Sequence, residues 1–171
     1  SIFPWCYEMP QPIETEIRHS LIKPIHIIKV GKAELDQTAM LFDLYRQFYQ
    51  QKTNVPLAKK YLEQMLTTES SIIYLAMDAA GNAIGFTQLY PSYCSVEAKA
   101  ILILYDLYVK TEARKSGVGK ALMNQAMQLA KETGASRIDL ETAIDNTSAQ
   151  SLYESLGYER DIEFHKYSLE L

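Results

Sequence analysis

The sequence predicts a mixed α/β domain in which helices pack on a central, mostly antiparallel, splayed sheet. Short β-rich apolar runs alternate along the chain with segments that have the helical period. An almost unbroken apolar run, residues 101–109, passes through a charged connection into a glycine-rich helix start. Taken together, the predicted elements follow the order β-α-α-β-β-β-α-β-α-β-β.

The first half of the chain divides into an arm and the start of one domain. Residues 1–24 carry four of the six prolines and the only tryptophan. They are expected to form an irregular arm or a cloned extension, followed by a domain over 25–171. The predicted elements here are a strand at 25–30, helices at 33–51 and 56–67, and strands at 72–77 and 84–90. Pro91 is expected to end the last of these strands, and residues 92–98 to form a polar loop.

The second half is predicted from its glycines and capping residues. The third long strand is the apolar run 101–109. Gly134 and Gly157 are expected to end helices, because glycine readily adopts the left-handed conformation that follows a helix. The predicted elements are a helix at 117–132, a strand at 137–142, a helix at 148–156 and a final hairpin over 158–171.

The connection between the long strand and its helix is the candidate ligand site. Gly117 and Gly119 stand where backbone N–H groups at a helix start lack partners, and such an end binds phosphates. A P-loop is excluded because Ala121 follows Lys120 and no glycine lies five residues before Gly119. The dinucleotide fingerprint lacks its third glycine. A tight turn that binds no ligand remains open.

Composition limits the class of protein. A formal net charge of −4 argues against nucleic-acid binding, which favours a basic face. Two cysteines and three histidines at unrelated positions suggest no metal site. No apolar stretch approaches the length of a membrane span and no signal peptide is visible, so we expect a cytoplasmic protein.

Two motifs resemble those of the GNAT superfamily of N-acyltransferases. The first is Arg114-x-x-Gly117-x-Gly119, directly after a strand that ends in Leu107-Tyr108-Val109. The second is Asn146-x-x-Ala149-x-x-Leu152-Tyr153-x-x-x-Gly157-Tyr158. Both lie at the right distance and in the right order, and the predicted element order is that of the GNAT fold.

The resemblance implies acetyl-CoA as the cofactor. Backbone groups of Leu107, Tyr108 and Val109 would pair with the pantetheine arm, as an added strand does at an exposed sheet edge. Backbone N–H groups of the connection would hold the pyrophosphate; this set is Arg114, Lys115, Ser116, Gly117, Val118, Gly119 and Lys120. Lys115 departs from a common family form that has glycine there, but donation by a backbone amide does not depend on the side chain.

The resemblance also suggests catalytic residues. Tyr153 matches a family tyrosine that lies near the thioester sulfur and can protonate the departing thiolate. Asn146 matches a polar contact to the cofactor or the acceptor, and its alternative role is a helix N-cap. Alternation places Asp106 with Leu102, Leu104 and Tyr108 on one strand face, where it either deprotonates the acceptor amine or is a structural residue at a strand bulge. The acceptor pocket would be lined by Tyr45, Tyr49, Tyr90 and Tyr93.

These features predict an N-acetyltransferase that acts on a small-molecule or peptide amine. The amine would attack acetyl-CoA directly in a ternary complex, with a backbone N–H near Val109 polarising the carbonyl. No cysteine or serine has a base at motif spacing, which disfavours an acyl-enzyme. The alternatives are a non-catalytic acyl-CoA-binding sensor or interaction module and a domain without a ligand. The resemblance also makes a homodimer possible.

Overall fold

The computed structural model describes residues 22–171. Most of the expected arm, including Trp5, Cys6 and Tyr7, therefore lies outside the described residues. The chain divides into two compact units, one that ends at Asp139 and one that comprises Leu140–Leu171.

The helices and strands confirm the predicted mixed α/β fold. Short 3-10 helices lie at Lys32–Glu34 and Thr111–Ala113. The strands are β1 (His26–Lys29), β2 (Ile72–Met77), β3 (Ala83–Cys94), β4 (Lys99–Val109) and β5 (Ile138–Leu140). The helices are α1 (Leu35–Phe48), α2 (Val55–Thr67), α3 (Val118–Thr133) and α4 (Thr147–Ser155).

Within residues 22–171, the strands form one five-stranded sheet in the order β1-β2-β3-β4-β5. The first four strands are joined by antiparallel pairs. The N–H of Ser136 donates to the carbonyl of Ala100, and that of Leu102 donates to the carbonyl of Arg137. Residue numbers rise together on both sides of these bonds, which is the parallel sense. The sheet is therefore mostly antiparallel with a parallel addition beside β4.

Each face of the sheet packs against different helices. On one face, the Phe86 ring of β3 makes edge contacts with Phe42 and Tyr45 of α1, with centroids 6.0 and 5.8 Å apart. On the other face, a Cβ at Gly85 would lie 3.2 Å from Val118 and 3.3 Å from Leu122 of α3. Glycine at this position thus allows α3 to approach the sheet closely. The main core cluster lies on the α1–α2 side: Val30, Leu35, Ala39, Leu41, Phe42, Ala58, Leu62, Ile73, Leu75 and Phe86.

Strand β3 does not end at Pro91 as predicted, and the polar loop over 92–98 is shorter than expected. Pro91 pairs with Leu102, and β3 continues to Cys94. The neighbouring strand β2 reaches β3 only as far as Leu89, which pairs with Ile72. Pro91 therefore lies where β3 has a partner on one side only, and such a position tolerates the missing N–H of proline.

The final hairpin predicted over 158–171 is not formed. This segment has no strand, and its large apolar side chains stay exposed. It contains no glycine, proline or asparagine that would favour a tight turn. The alternation of apolar residues alone was therefore a misleading signal for a hairpin.

Candidate active site

A β-bulge in β4 sets the direction of Asp106. Leu104 pairs with Leu89 and Asp106 pairs with Gln88, so Tyr105 is an extra residue on β4. Cross-strand partners point to the same face, and the adjacent residues Gln88 and Leu89 point to opposite faces. Leu104 and Asp106 therefore lie on opposite faces. The expectation that Leu102, Leu104, Asp106 and Tyr108 share one face is wrong for this reason.

The bulge places Asp106 on the α1–α2 face, with Tyr108 beside it. Tyr108 pairs with Phe86, whose ring packs against α1. The Asp106 side chain is buried, with 8% of its surface exposed. A buried carboxylate in an apolar strand requires hydrogen-bond partners.

Gln88 is the main partner of Asp106. Its Nε2 donates to Oδ2 of Asp106 over 2.6 Å, and its Oε1 accepts from the hydroxyl of Ser71 over 2.7 Å. Burial raises the pKa of Asp106 above its usual value, and the hydrogen bonds from Gln88 and Tyr45 offset only part of that rise. A carboxyl group with a raised pKa is a stronger base when ionised, which suits proton abstraction near neutral pH.

Tyrosines surround this carboxylate on the α1–α2 face. The hydroxyl of Tyr45 donates to the backbone carbonyl of Tyr105 over 3.1 Å, and the Tyr49 ring lies 5.1 Å from that of Tyr45. Burial and the charge of Asp106 both raise the pKa of Tyr49. These contacts bring the expected residues Tyr45 and Tyr49 to the carboxylate.

A second group of tyrosines comes from β3, β4 and α2. The Tyr90 ring lies 5.2 Å from that of Tyr105, and its hydroxyl is 2.6 Å from the hydroxyl of Tyr61. Burial, and then the hydrogen bond with Tyr61, raise the pKa of Tyr90, so its phenol stays protonated. Tyr93, by contrast, is 79% exposed and has no ring contact in the described part of the chain.

The end of β4 carries the backbone groups expected to bind pantetheine. The N–H of Lys110 donates to the carbonyl of Ile84, so the hydrogen-bonded pairs with β3 involve Lys110, Tyr108 and Asp106. The peptide groups of Leu107 and Val109 therefore point away from β3. Edge pairing with a ligand thus depends on Leu107 and Val109, while the groups of Tyr108 bond to β3.

The connection after β4 begins α3 with a left-handed glycine. Gly117 is the N-cap of α3 with φ +88°, in the left-handed region, and Lys115 has φ +59°. The carbonyl of Gly117 accepts from the N–H of Ala121. The preceding helical N–H groups, those of Val118, Gly119 and Lys120, have no acceptor within the helix. A Cβ at Gly117 would meet nothing within 4 Å, so the space beside this turn is open.

The side chains of this connection are held in different ways. The Ser116 hydroxyl is buried and donates to the carbonyl of Ala113. The Arg114 guanidinium donates through Nε to the carbonyl of Val109 over 3.0 Å. Its central carbon lies 5.9 Å from the Phe48 ring centroid and 5.8 Å from that of Tyr108. Arg114 therefore reaches the α1–α2 face, although sequence reasoning relied only on its amide.

The second unit holds Asn146 and Tyr153. Oδ1 of Asn146 accepts from the N–H of Ala149 over 3.2 Å, so Asn146 caps α4. Tyr153 is buried in α4, with its ring 6.0 Å from that of Tyr158. Burial raises the pKa of Tyr158 to about 12.

Sequence reasoning missed Ser71, Gln88, Tyr61 and Tyr105. Gln88 gave a usable signal, because a polar residue inside an apolar strand predicts a polar partner on a neighbouring strand. The roles of the others depend on strand register and on the bulge, which the sequence does not mark. Residues 22–171 contain no cluster of three or more histidine, cysteine, aspartate or glutamate residues that would hold a metal ion. Within the same range, no helix is long and apolar enough to span a membrane.

Comparison with known proteins identifies similar sequences and folds. A family model described as acetyltransferase (GNAT) family matches residues 38–158. An uncharacterized N-acetyltransferase YhfO of Bacillus subtilis is 43% identical over 131 residues, which cover 77% of this chain and 87% of the relative. A probable acetyltransferase of Haemophilus influenzae is 27% identical over 147 residues, covering 84% of this chain and 99% of the relative.

Solved structures agree with these sequence matches. The crystal structure of a probable acetyltransferase superposes with a TM-score of 0.80 at 40% identity, covering 85% of this chain and 97% of that one. The aminoglycoside N-acetyltransferase AAC(6')-Iy in complex with CoA superposes with a TM-score of 0.74 at 20% identity, covering 86% and 95%. The second likeness concerns the fold alone.

Proposed function

This chain belongs to the GNAT family of acetyltransferases, and we propose that it transfers the acetyl group of acetyl-CoA to a primary amine by direct attack in a ternary complex. The protein is an acyltransferase. Acetyl-CoA is the cofactor of the family. The observation that carries the proposal is the buried carboxylate of Asp106, which shares its strand with the outward-pointing peptide groups of Leu107 and Val109. A base and an acyl-donor edge would thus lie within four residues of one strand.

Asp106 is the proposed general base. The acceptor amine arrives as an ammonium ion and must lose a proton before its nitrogen can attack. A buried carboxylate with a raised pKa, among tyrosine rings, suits that task. The C–N bond then forms at the thioester carbon and the C–S bond breaks. One ammonium proton resides on Asp106, and the second proton, which the nitrogen loses as the amide forms, ends on the departing thiolate as the CoA thiol.

The donor would be held by backbone groups. Leu107 and Val109 form the proposed pantetheine edge, with Tyr108 between them bonded to β3 and not to the ligand. The N–H of Val109 is proposed to polarise the thioester carbonyl. The pyrophosphate would accept from the amides of residues 114–120, which include the start of α3. The left-handed Gly117 and the open space beside it support this assignment.

Tyr153 and Asn146 are assigned from their motif. Tyr153 is the proposed acid that protonates the departing thiolate. Asn146 already uses Oδ1 as a helix cap, so its proposed cofactor contact would use the side-chain NH₂ group.

Three wider assignments remain proposals. Residues 25–171 would form the catalytic domain, since the family match at 38–158 extends across both compact units. A cytoplasmic location fits the supply of acetyl-CoA inside cells. A homodimer is supported by the exposed apolar side chains near the C-terminus, which would pack against the same segment of a second copy. The non-catalytic sensor is not favoured, because the family and its relatives are acetyltransferases.

The test is an acetylation screen of polyamines, amino acids, aminoglycosides and peptides, with release of CoA thiol as the signal. We expect turnover with at least one class of primary amine, and its loss in Asp106→Asn. Tight binding of CoA without turnover of any amine would contradict the proposed function and favour the sensor.

A further inference from the structure

Arg114 places a cation on the same face of the sheet as Asp106. Its guanidinium lies over the rings of Phe48 and Tyr108. Tyr108 follows Asp106 by two residues, and both point toward α1 because they pair with Phe86 and Gln88. The Asp106 carboxylate and the Arg114 guanidinium therefore both lie on the α1–α2 face, near the end of β4.

The terminal nitrogens of Arg114 are available to a ligand. Its Nε is used by the carbonyl of Val109, which fixes the plane of the guanidinium. Among residues 22–171, no carboxylate oxygen lies within 4.0 Å of this side chain. The fork of N–H groups that remains matches the geometry of a carboxylate ligand.

Aromatic rings occupy the surface around these two charged groups. The Tyr49 ring lies 5.1 Å from that of Tyr45 and 5.2 Å from that of Phe48. Tyr49 is 45% exposed and Tyr105 is 54% exposed, so both present ring surface to a ligand. Such a surface favours an apolar or aromatic group over a hydrated one.

We propose that the acceptor is an amino acid with an apolar or aromatic side chain, whose ammonium group faces Asp106 and whose carboxylate pairs with Arg114. The proposal rests on the function proposed above, since it names the acceptor of that same site. Tyr108 lies next to Asp106 on this face, and its ring centroid is 5.8 Å from the central carbon of Arg114, so the Tyr108 side chain adjoins both charged groups. A polyamine would instead place its second ammonium group beside Arg114, and like charges repel.

The carboxylate takes no part in the bond changes. The amine nitrogen bonds to the thioester carbon as the C–S bond breaks. Asp106 holds the first ammonium proton, and the second proton that the nitrogen loses ends on the departing sulfur as the CoA thiol. The N-acetyl amino acid that forms keeps its carboxylate but has lost its ammonium charge, so its attraction to Asp106 is gone. Product release is favoured for that reason.

The test compares acceptors that differ only in the carboxylate. We measure kcat/KM for phenylalanine against phenethylamine, and for leucine against isopentylamine, with each value corrected to the neutral amine. A hydrogen-bonded charge pair contributes about 1.5–3 kcal/mol, so each amino acid is expected to exceed its amine about 10–100-fold. In Arg114→Gln, which keeps the backbone amide, this ratio is expected to fall to about one. Lys115→Gln removes a neighbouring cation and is the control in which the ratio persists.

The outcomes separate this inference from the function itself. Equal kcat/KM for phenylalanine and phenethylamine in the native enzyme would overturn the zwitterion proposal and leave the transferase activity standing. A ratio that survives in Arg114→Gln would overturn the role of Arg114. If calorimetry finds CoA bound and no amine is acetylated, the proposed function fails together with this inference.

Discussion

At the scale of single residues, hydrogen bonds that link Ser71, Gln88 and Asp106 fix the orientation of the Asp106 carboxylate. The Ser71 hydroxyl donates to Oε1 of Gln88, and this orients the amide so that Nε2 points to Asp106. The amide donates a hydrogen bond but carries no charge that would lower the pKa strongly. Asp106 is thus anchored while its pKa remains raised. Anchoring and basicity are both required of a general base.

Replacement of Asp106 tests its role through both stability and rate. Burial raises its pKa in the folded protein above the usual 3.8. The folded state then binds more protons than the unfolded state, so the native protein loses stability as pH rises from 3.8 toward the raised pKa. Asp106→Asn removes this loss, and we expect the variant to gain stability relative to the native protein across that window. Turnover should fall by ~10²–10⁴-fold.

Urea unfolding at pH 4 and pH 8, with a pH–rate profile, measures both effects. The native profile should lose activity on its acidic limb, where Asp106 becomes protonated. If Asp106→Asn is less stable at pH 8 and the pH profile keeps its shape, Asp106 is a structural residue at the bulge and the base lies elsewhere.

Tyr153→Phe tests the proposed acid. The ring and its contact with Tyr158 are kept, while the hydroxyl is removed. The thiolate is a good leaving group that needs only partial protonation, so we expect a fall of about 10–10²-fold in turnover with acetyl-CoA affinity nearly unchanged. With an acyl donor whose thiol is more acidic than that of CoA, the fall in turnover caused by Tyr153→Phe should be smaller. Tyr158→Phe is the matched control, and native turnover in Tyr153→Phe under conditions where chemistry limits would assign the acid to another group.

At the scale of elements, the bulge at Tyr105 explains why the strand face of Asp106 was predicted wrongly, although a strand bulge at Asp106 was one of the alternatives. A period of two is assumed when strand faces are assigned, and one extra residue reverses that assignment for every residue after it. Tyr105 is neither glycine nor proline, so nothing in the residue type marks the bulge. Asp106 was predicted as a site residue because it is acidic in an apolar strand, but its face follows from the register with β3.

Elements were predicted best where a side chain or backbone requirement marks their ends. Asn54 and Asn146 each accept a backbone N–H as helix caps, and Gly117 and Gly134 take left-handed conformations at the two ends of α3. Predictions failed where the end depends on neighbours in space. Strand β3 passes through Pro91 because β2 is too short to pair there.

The two glycines at the ends of α3 allow a controlled test of cofactor binding. Gly117 has φ +88° and Gly134 has φ +71°, and a Cβ at either meets nothing within 4 Å. Alanine at each should cost about 1–2 kcal/mol in the free energy of unfolding, because the left-handed conformation disfavours a Cβ. Only Gly117→Ala should also weaken CoA binding in calorimetric titration, since only Gly117 lies at the helix start. Equal CoA affinity in both variants would show that the pyrophosphate does not bind at this turn.

At the scale of the whole molecule, the fold class was predictable and the acceptor was not. The order of elements and two motifs are local in sequence, so one chain is enough to identify them. The proposed acceptor face combines Tyr45, Tyr61, Gln88 and Asp106, which come from α1, α2, β3 and β4. Their proximity is a property of strand register and helix packing. Arg114 shows the same limit, because its amide was predicted and its side chain reaches a different surface.

The last prediction concerns the proposed homodimer. Ile162, Phe164, Tyr167, Leu169 and Leu171 are each 79–116% exposed, and the last three alternate with the period of a half-buried strand. The segment forms no strand within the single chain, and we expect it to pair as a strand with the same segment of a second copy. We expect light scattering to give twice the mass of 19.5 kDa, and Phe164→Ser with Leu169→Ser to give the monomer. Ile144→Ser, at a side chain 97% exposed outside this segment, is the control that stays dimeric. A native protein that is monomeric at every concentration would exclude this interface.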